Sequence, residues 1–208
     1  MLSRLRGVVS TLLTPVARVL LRAGVSPDAV TVLGALGVLV AALWAFPTDH
    51  LAAGAIIIGV FAFLDALDGT MARLAGRSGP WGAFLDSTLD RVADAAIFCG
   101  LTAYFILQHD GDLRTYGIVA ALACLVLGNL VSYARARAEG LGMTANVGIA
   151  ERGERLVVSL VMTGLVGFGL PVEALVGALA LLAVASLVTV VQRMATVHRQ
   201  AVAAASAS

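Results

Sequence analysis

Four aspartates in an otherwise apolar stretch have the spacing of a divalent-cation site. Asp65 and Asp68 are three residues apart, and Asp86 and Asp90 are four apart. On a helix each pair projects from one face, so two such helices could turn all four carboxylates toward one another. An ionised side chain deep in a bilayer costs about 2.5–3.5 kcal/mol on insertion scales and usually marks a function. Carboxylates with no His or Cys nearby are typical ligands of Mg²⁺ or Mn²⁺ rather than of zinc.

Small residues and an arginine accompany these acids. Gly69 lies one turn after Asp65, which leaves the backbone bare beside a carboxylate. Gly82 lies one turn before Asp86 and does the same on the second segment. A bulky ligand could approach at both places. Arg73, one turn after Gly69, suits bidentate contact with phosphate. Together these residues predict a site for a diphosphate.

The whole pattern resembles the signature of the CDP-alcohol phosphotransferases. All eight fixed positions of that signature are present, namely Asp65, Asp68, Gly69, Ala72, Arg73, Gly82, Asp86 and Asp90. The resemblance implies an integral membrane enzyme that moves a phosphatidyl or phosphoalcohol group from a CDP-linked donor to an alcohol and releases CMP. It implies two metal ions bound by Asp65, Asp68 and Asp86. Asp90, beside the second ion, would be the general base that takes the alcohol proton.

The same resemblance supplies candidates for binding the nucleotide end of the donor. Asp28 and Thr31 match the family's cytidine-binding segment, although Asp28 could equally stabilise a helix N-terminus. Ser78 and Gly79 could close over the nucleotide or belong to a flexible loop. The full set of donor-binding candidates is Asp28, Thr31, Gly69, Arg73, Ser78 and Gly79.

Composition indicates a membrane protein made of helices. The chain has 208 residues, of which 60% are hydrophobic, and no polar block large enough for a soluble domain. We therefore expect one all-α membrane domain over residues 1–208. The formal net charge of +1 gives no indication of a nucleic-acid partner.

Hydropathy divides the chain into an interfacial helix and six spans. Residues 2–22 predict an amphipathic helix lying on the membrane surface, and Ser26-Pro27 predicts a capped helix start. The expected bundle of residues 27–198 has spans at about 27–46, 51–74, 81–107, 116–138, 151–169 and 172–198. The Ala- and Ser-rich tail, 199–208, is expected to be disordered.

Arginines predict the orientation of the bundle. Only Arg114 lies clearly at the end away from the aspartates. By the positive-inside rule, both termini and the active site of this multi-pass protein would face the cytoplasm from the cell membrane.

Arginines at the same end also predict an anionic acceptor. The acceptor phosphate-binding candidates are Arg135, Arg137, Arg155 and Arg193. Ordinary positive-inside flanking explains any single one of them, and Arg152 most readily. Glu151 and Glu154 could neutralise some of this charge. Asp94 could support the site or simply pair with Arg91 or Arg155.

A longer resemblance, over residues 26–197, is to the actinobacterial phosphatidylinositol-phosphate synthases within the same family. It rests on Ser-Pro-Asp-Ala-Val-Thr at 26–31, Ser-Tyr-Ala-Arg-Ala-Arg-Ala-Glu at 132–139, Glu-Arg-Gly-Glu-Arg-Leu at 151–156 and Val-Gln-Arg at 191–193. It implies CDP-diacylglycerol as donor, soluble inositol 1-phosphate as acceptor, phosphatidylinositol phosphate and CMP as products, and a homodimer. Arg135 stands where that group often has Lys.

Two other functions stay open at this point. A phosphatidylglycerophosphate synthase, which uses glycerol 3-phosphate, would also need an anionic pocket. A cation transporter could use buried acids paired with Arg73, Arg77 and Arg91. The transporter predicts polar groups through the whole depth of the bilayer, whereas this sequence gathers them at one end.

Overall fold

The computed structural model describes residues 13–76 and 79–207, without the side chains of residues 63–66 and 207. In this part of the chain there are seven helices and no strand. The helices are α1 (residues 13–22), α2 (Pro27–Ala45), α3 (Leu51–Leu74), α4 (Pro80–Gln108), α5 (Gly111–Glu139), α6 (Arg152–Gly167) and α7 (Val172–Ala207). The expectation of an all-α protein is confirmed.

Local sequence explains where the helices begin. The Ser26 hydroxyl accepts a hydrogen bond from the Ala29 N–H at 3.2 Å, and Pro27 follows in the first turn of α2. This is the capped start that the sequence predicts. At α6, the Glu154 carboxylate accepts from the Glu151 N–H at 2.8 Å, completing a capping box.

Four helices are long and apolar enough to cross a bilayer: Pro27–Ala45, Leu51–Leu74, Gly111–Glu139 and Val172–Ser206. Of the other two long helices, α4 carries four charged side chains between Asp86 and Asp94. With 16 residues, α6 is only about 24 Å long, against about 30 Å for a bilayer core. The protein is therefore a helical membrane protein.

The six long helices form a closed ring. Going around the ring, each helix contacts the next in the order α3, α2, α4, α5, α7 and α6, and α6 contacts α3 to close it. The two helices that bear the aspartates, α3 and α4, both pack on α2. An apolar core that includes Val38, Ile58, Ile97, Cys124 and Leu179 fills the ring.

In the half of the bundle away from the aspartates, two glycines allow helix backbones to approach closely. A Cβ added at Gly100 of α4 would collide with the carbonyl oxygen of Ala42 on α2. One added at Gly167 of α6 would collide with the backbone nitrogen of Ala52 on α3. The helix backbones can touch at these two places because glycine has no Cβ.

Both ends of the described chain add to the bundle. Leu13 and Ala17 of α1 pack against Leu67 and Met71 of α3. Residues 2–12 of the expected interfacial helix lie outside the described part. At the other end, the expectation of a disordered tail is wrong for residues 199–207, which continue α7 as helix. Alanine has the highest helix propensity, so an alanine-rich segment readily prolongs an existing helix.

Candidate active site

A cavity of about 490 Å³ lies between the first turn of α2, the end of α3 and the start of α4. It brings together most of the residues that the sequence predicts for the metal and donor sites. Its lining includes Asp28, Thr31, Asp68, Gly69, Arg73, Gly79, Gly82 and Asp86. We call it the donor cavity. The side chain of Asp65, which belongs to α3, and all of Ser78 lie outside the described part.

Side-chain contacts across the donor cavity tie its three helices together. The buried hydroxyl of Thr31 on α2 donates to the carboxylate of Asp68 on α3. The indole N–H of Trp81 on α4 donates to Asp28 Oδ2 at 3.1 Å. Asp28 and Thr31 therefore lie one turn apart on α2, each in contact with a different neighbouring helix. Nothing in the sequence pattern indicated Trp81.

Space is left beside the acids as the glycines predict. A Cβ added at Gly69 or Gly82 would meet no atom within 4 Å, and both residues line the donor cavity. A ligand could therefore approach the backbone of α3 and α4 next to Asp68 and Asp86.

A second, larger cavity of about 1260 Å³ lies between α4, α5, α6 and α7. Its charged lining consists of Asp90, Arg91, Arg135, Glu139, Glu151, Arg152 and Arg193. We call it the cationic cavity. Of the four arginines predicted to bind the acceptor, Arg135 and Arg193 line it, whereas Arg137 and Arg155 do not. Arg91 and Arg152, which were not chosen from the sequence, take part instead.

The guanidinium of Arg155 is buried inside the bundle, with 2% of the residue exposed. Its Nη1 donates to the Ala150 carbonyl at 3.1 Å, and its Nη2 donates to the Gly128 carbonyl at 3.4 Å. A Cβ at Gly128 would lie 3.0 Å from Arg155 Nε. Arg155 therefore connects α5, α6 and the segment between them.

Asp90 and Asp94 share a group of arginines. Arg152 places Nη2 2.8 Å from Asp90 Oδ1 and Nε 3.2 Å from Asp94 Oδ1. Arg155 Nη2 lies 3.6 Å from Asp94 Oδ2, and Arg91 Nη2 lies 3.8 Å from both carboxylates. Asp94 therefore contacts three arginines on two helices, and it holds Arg152 facing Asp90.

A small internal cavity of about 50 Å³ joins these features. It shares Thr31 with the donor cavity and Asp90 with the cationic cavity. It also shares Ala62 and Leu156 with an apolar groove of about 410 Å³ that opens between α3 and α6. The donor cavity, the cationic cavity and the apolar groove thus converge near Thr31 and Asp90.

The donor set matches a hard divalent cation. Asp68 and Asp86 offer carboxylate oxygens to one cavity, and oxygen ligands are those that Mg²⁺ and Mn²⁺ prefer. Among the described side chains, no three of Asp, Glu, His and Cys lie close enough to hold one ion. That set does not include Asp65.

The chain belongs to the CDP-alcohol phosphatidyltransferase family, whose profile matches residues 24–192. Its relatives point to one member of that family. The chain is 46% identical over 209 residues to the phosphatidylinositol phosphate synthase of Streptomyces avermitilis, covering 98% of this chain and 84% of the relative.

Two solved structures of the Mycobacterium tuberculosis phosphatidylinositol phosphate synthase have the same fold. The one with CDP-DAG bound gives a TM-score of 0.84 at 44% identity, over 90% of this chain and 94% of that one. The one in complex with manganese and citrate gives 0.83 at 44% identity, over 89% and 88%.

Proposed function

We propose that the protein transfers the phosphatidyl group of CDP-diacylglycerol to inositol 1-phosphate and releases phosphatidylinositol phosphate and CMP. The observation that carries the proposal is the small internal cavity that reaches the donor cavity at Thr31 and the cationic cavity at Asp90. A neutral alcohol would gain nothing from a cavity lined by several arginines, whereas a phosphorylated one would. The relatives with 40% identity or more bear the name of this activity.

CDP-diacylglycerol would bind with its cytidine in the donor cavity and its acyl chains toward the apolar groove. The cytidine would lie beside Asp28 and Thr31, and the diphosphate beside Asp68, Gly69 and Arg73. The acyl chains would leave through the apolar groove between α3 and α6 toward lipid. Gly79 lines the donor cavity, and Ser78 and Gly79 would close over the nucleotide.

Divalent ions would be held by the aspartates of α3 and α4. We assign Asp65, Asp68, Asp86 and Asp90 to two Mg²⁺ or Mn²⁺ ions, with Asp65 and Asp86 shared. When bound, such ions neutralise a diphosphate and stabilise the departing CMP. The relative solved in complex with manganese supports the use of a divalent cation.

The acceptor would bind in the cationic cavity. Arg135 and Arg193 would bind its phosphate, Arg193 while its Nε and Nη1 donate to the Val147 and Val131 carbonyls. Arg152 lies nearest to Asp90. Asp90 would take the proton of the attacking hydroxyl. That oxygen would bond to the phosphorus bearing diacylglycerol, and the bond from that phosphorus to the bridging oxygen of CMP would break.

In the membrane, helices α2–α7 would be six spans of a single domain, with the N-terminal helix at the interface. The described arginines cluster at the end that holds both cavities, which would place the site and both termini in the cytoplasm. The homodimer remains a proposal based on the resemblance to phosphatidylinositol-phosphate synthases.

A comparison of acceptors tests the proposed function. Purified protein with CDP-diacylglycerol and Mg²⁺ should release CMP with inositol 1-phosphate, and Asp90→Asn should reduce kcat at least about 100-fold, as for loss of a general base. Asp112→Asn, at the opposite end of the bundle, is the matched control and should keep wild-type activity. Turnover with glycerol 3-phosphate alone would contradict the acceptor assignment.

A further inference from the structure

The segment 140–150 between α5 and α6 leads directly into the cationic cavity. It has no regular helix over most of its length, but Ala145 and Ala150 are buried. Its last residue precedes Glu151 and Arg152, which line the cavity. The course of this segment therefore decides where α6 begins and where Arg152 stands.

One face of α7 holds this segment through the backbone. Thr189, Arg193 and Gln200 are separated by four and seven residues, so they share a helix face. The buried Thr189 hydroxyl accepts from the N–H groups of Ile149 and Ala150, each at 3.1 Å, and donates to the Ala185 carbonyl at 2.9 Å.

The other two contacts lie further toward the end of α7. Arg193 Nε donates to the Val147 carbonyl at 3.0 Å. The side-chain amide of Gln200 donates from Nε2 to the Thr144 carbonyl at 2.6 Å and accepts at Oε1 from the Thr144 N–H at 3.0 Å. Backbone groups at 144, 147, 149 and 150 are thus bound in register along α7.

Steric fit supports the same register. Gly148 has a φ of 145°, a conformation that side chains rarely adopt. A Cβ there would collide with the methyl group of Thr189. The segment can therefore lie at this height on α7 only because glycine stands opposite Thr189.

We propose that Thr189 and Gln200 are positioning residues of the acceptor site, acting through the segment 140–150 on Arg152. The inference rests on the proposed function. Arg152, in the first turn of α6, lies 2.8 Å from Asp90 and 3.2 Å from Asp94, so a local displacement of this turn alters the wall of the cationic cavity. The donor cavity is built from α2, α3 and α4 and does not depend on this segment.

Kinetics with the full-length enzyme separate effects on acceptor binding from effects on donor binding. Thr189→Val and Gln200→Ala should each raise the KM for inositol 1-phosphate about tenfold, the scale of one lost hydrogen bond with unpaired groups left behind. The KM for CDP-diacylglycerol should change less than about twofold, because the donor cavity is untouched. Thr189→Ser keeps the hydroxyl and should restore the wild-type value. Thr196→Val is the matched control, since the Thr196 hydroxyl donates within α7 to the Gln192 carbonyl.

Amide hydrogen exchange provides a readout that does not need catalysis. Peptides covering 144–150 should exchange about tenfold faster in Thr189→Val and Gln200→Ala than in the wild type or Thr196→Val. Unchanged exchange, or an equal rise in both KM values, would overturn the proposal. A wild-type enzyme without turnover on inositol 1-phosphate would overturn the proposed function, and the exchange comparison would still decide whether α7 holds the segment.

Discussion

At the scale of single residues, the pairing of Asp90 with Arg152 gives the site its asymmetry. Arg91, Arg152 and Arg155 face two carboxylates, Asp90 and Asp94, so positive charge is in excess on the side of the cationic cavity. On the other side, the Thr31 hydroxyl donates to Asp68, which lines the donor cavity together with Asp86. An anionic acceptor would meet the arginines of the cationic cavity, and the cations bound to the donor would meet the aspartates of the donor cavity.

Gly69 allows a test that separates stability from activity. Gly69→Ala should raise the free energy of unfolding by about 0.5–1 kcal/mol, because alanine restricts the unfolded chain and favours helix. The new methyl group would enter the donor cavity, so the KM for CDP-diacylglycerol should rise about tenfold, the size of a 1–2 kcal/mol loss in a filled pocket. Thermal unfolding in detergent and donor titration measure the two effects.

Gly177→Ala is the control for that substitution. Gly177 also has open space at its Cβ position, but it lies in α7 and does not line the donor cavity. It should show the stability gain alone. A Gly69→Ala enzyme with unaltered donor KM would contradict the placement of the donor.

Residue spacing predicted the donor cavity well because its members are close along the chain. Asp68, Gly69, Arg73, Gly82 and Asp86 all come from two helix ends joined by a short loop. Partners that are distant in sequence could not be found in this way. Trp81 meets Asp28 across 53 positions, and no local pattern marks either as the other's partner.

At the scale of helices, Arg135 and Arg155 lie in two environments that sequence alone could not separate. Both lie near a helix end and both were candidates for the acceptor. Arg135 is exposed, lines the cationic cavity and pairs with Glu139 at 2.9 Å. Arg155 is buried and bonded to two carbonyls. The difference arises because the Arg155 side chain reaches across the interior of the ring to Gly128 of α5. The hydropathy of a single helix does not contain this contact.

These two arginines should respond differently to removal. Arg155→Ala should lower the free energy of unfolding by about 3–5 kcal/mol, since it leaves Asp94 short of a buried partner. Arg135→Ala should leave thermal stability unchanged and raise the KM for inositol 1-phosphate about tenfold, as for a lost charged hydrogen bond. Arg137→Ala, on the same helix but outside the cavity, is the control. Equal stability of the Arg135 and Arg155 variants would contradict the buried role of Arg155.

The groove between α3 and α6 provides a second test at this scale. Gly59 lines it and has open space beside it. Gly59→Leu should fill part of the groove and raise the KM for long-chain CDP-diacylglycerol about tenfold, with a smaller effect on a short-chain donor, because each displaced methylene is worth about 0.8 kcal/mol. Gly177→Leu is the control. An equal effect on both donors would place the acyl chains elsewhere.

Helix ends follow the predicted spans except where helix-forming residues outside the apolar core prolong a helix. The second span, 51–74, matches α3. By contrast, α5 begins at Gly111 rather than at 116, and α7 continues to Ala207 rather than ending at 198. Hydropathy detects the membrane-sized segment, whereas backbone hydrogen bonding continues for as long as helix-forming residues follow.

At the scale of the whole molecule, orientation in the membrane can be measured with thiol labelling. After replacement of Cys99 and Cys124 by alanine, a cysteine at Arg199 should react with a membrane-impermeant maleimide only once the membrane is opened. A cysteine at Arg114 should react in intact cells, because the basic end of the bundle is expected inside. Labelling in the opposite pattern would reverse the proposed orientation.

The order of helices around the ring could not be predicted from the sequence. Short connections favour contacts between consecutive helices, which would place α3 directly against α4. Instead α2 packs against both. Its first turn thereby brings Asp28 and Thr31 between the two acid-bearing helices, which completes the donor cavity.

The glycine contacts in the half of the bundle away from the aspartates have a consequence for cellular energetics. The backbone atoms of Ala42 and Ala52 leave no room for even a methyl group at Gly100 and Gly167, so a hydrated ion entering from either cavity would meet closely packed helices and an apolar core. Ion gradients across the membrane would be preserved while the enzyme uses CDP-diacylglycerol in one leaflet. This packing disfavours the cation transporter, and a flux assay in liposomes should record no metal-dependent leak above that of protein-free vesicles.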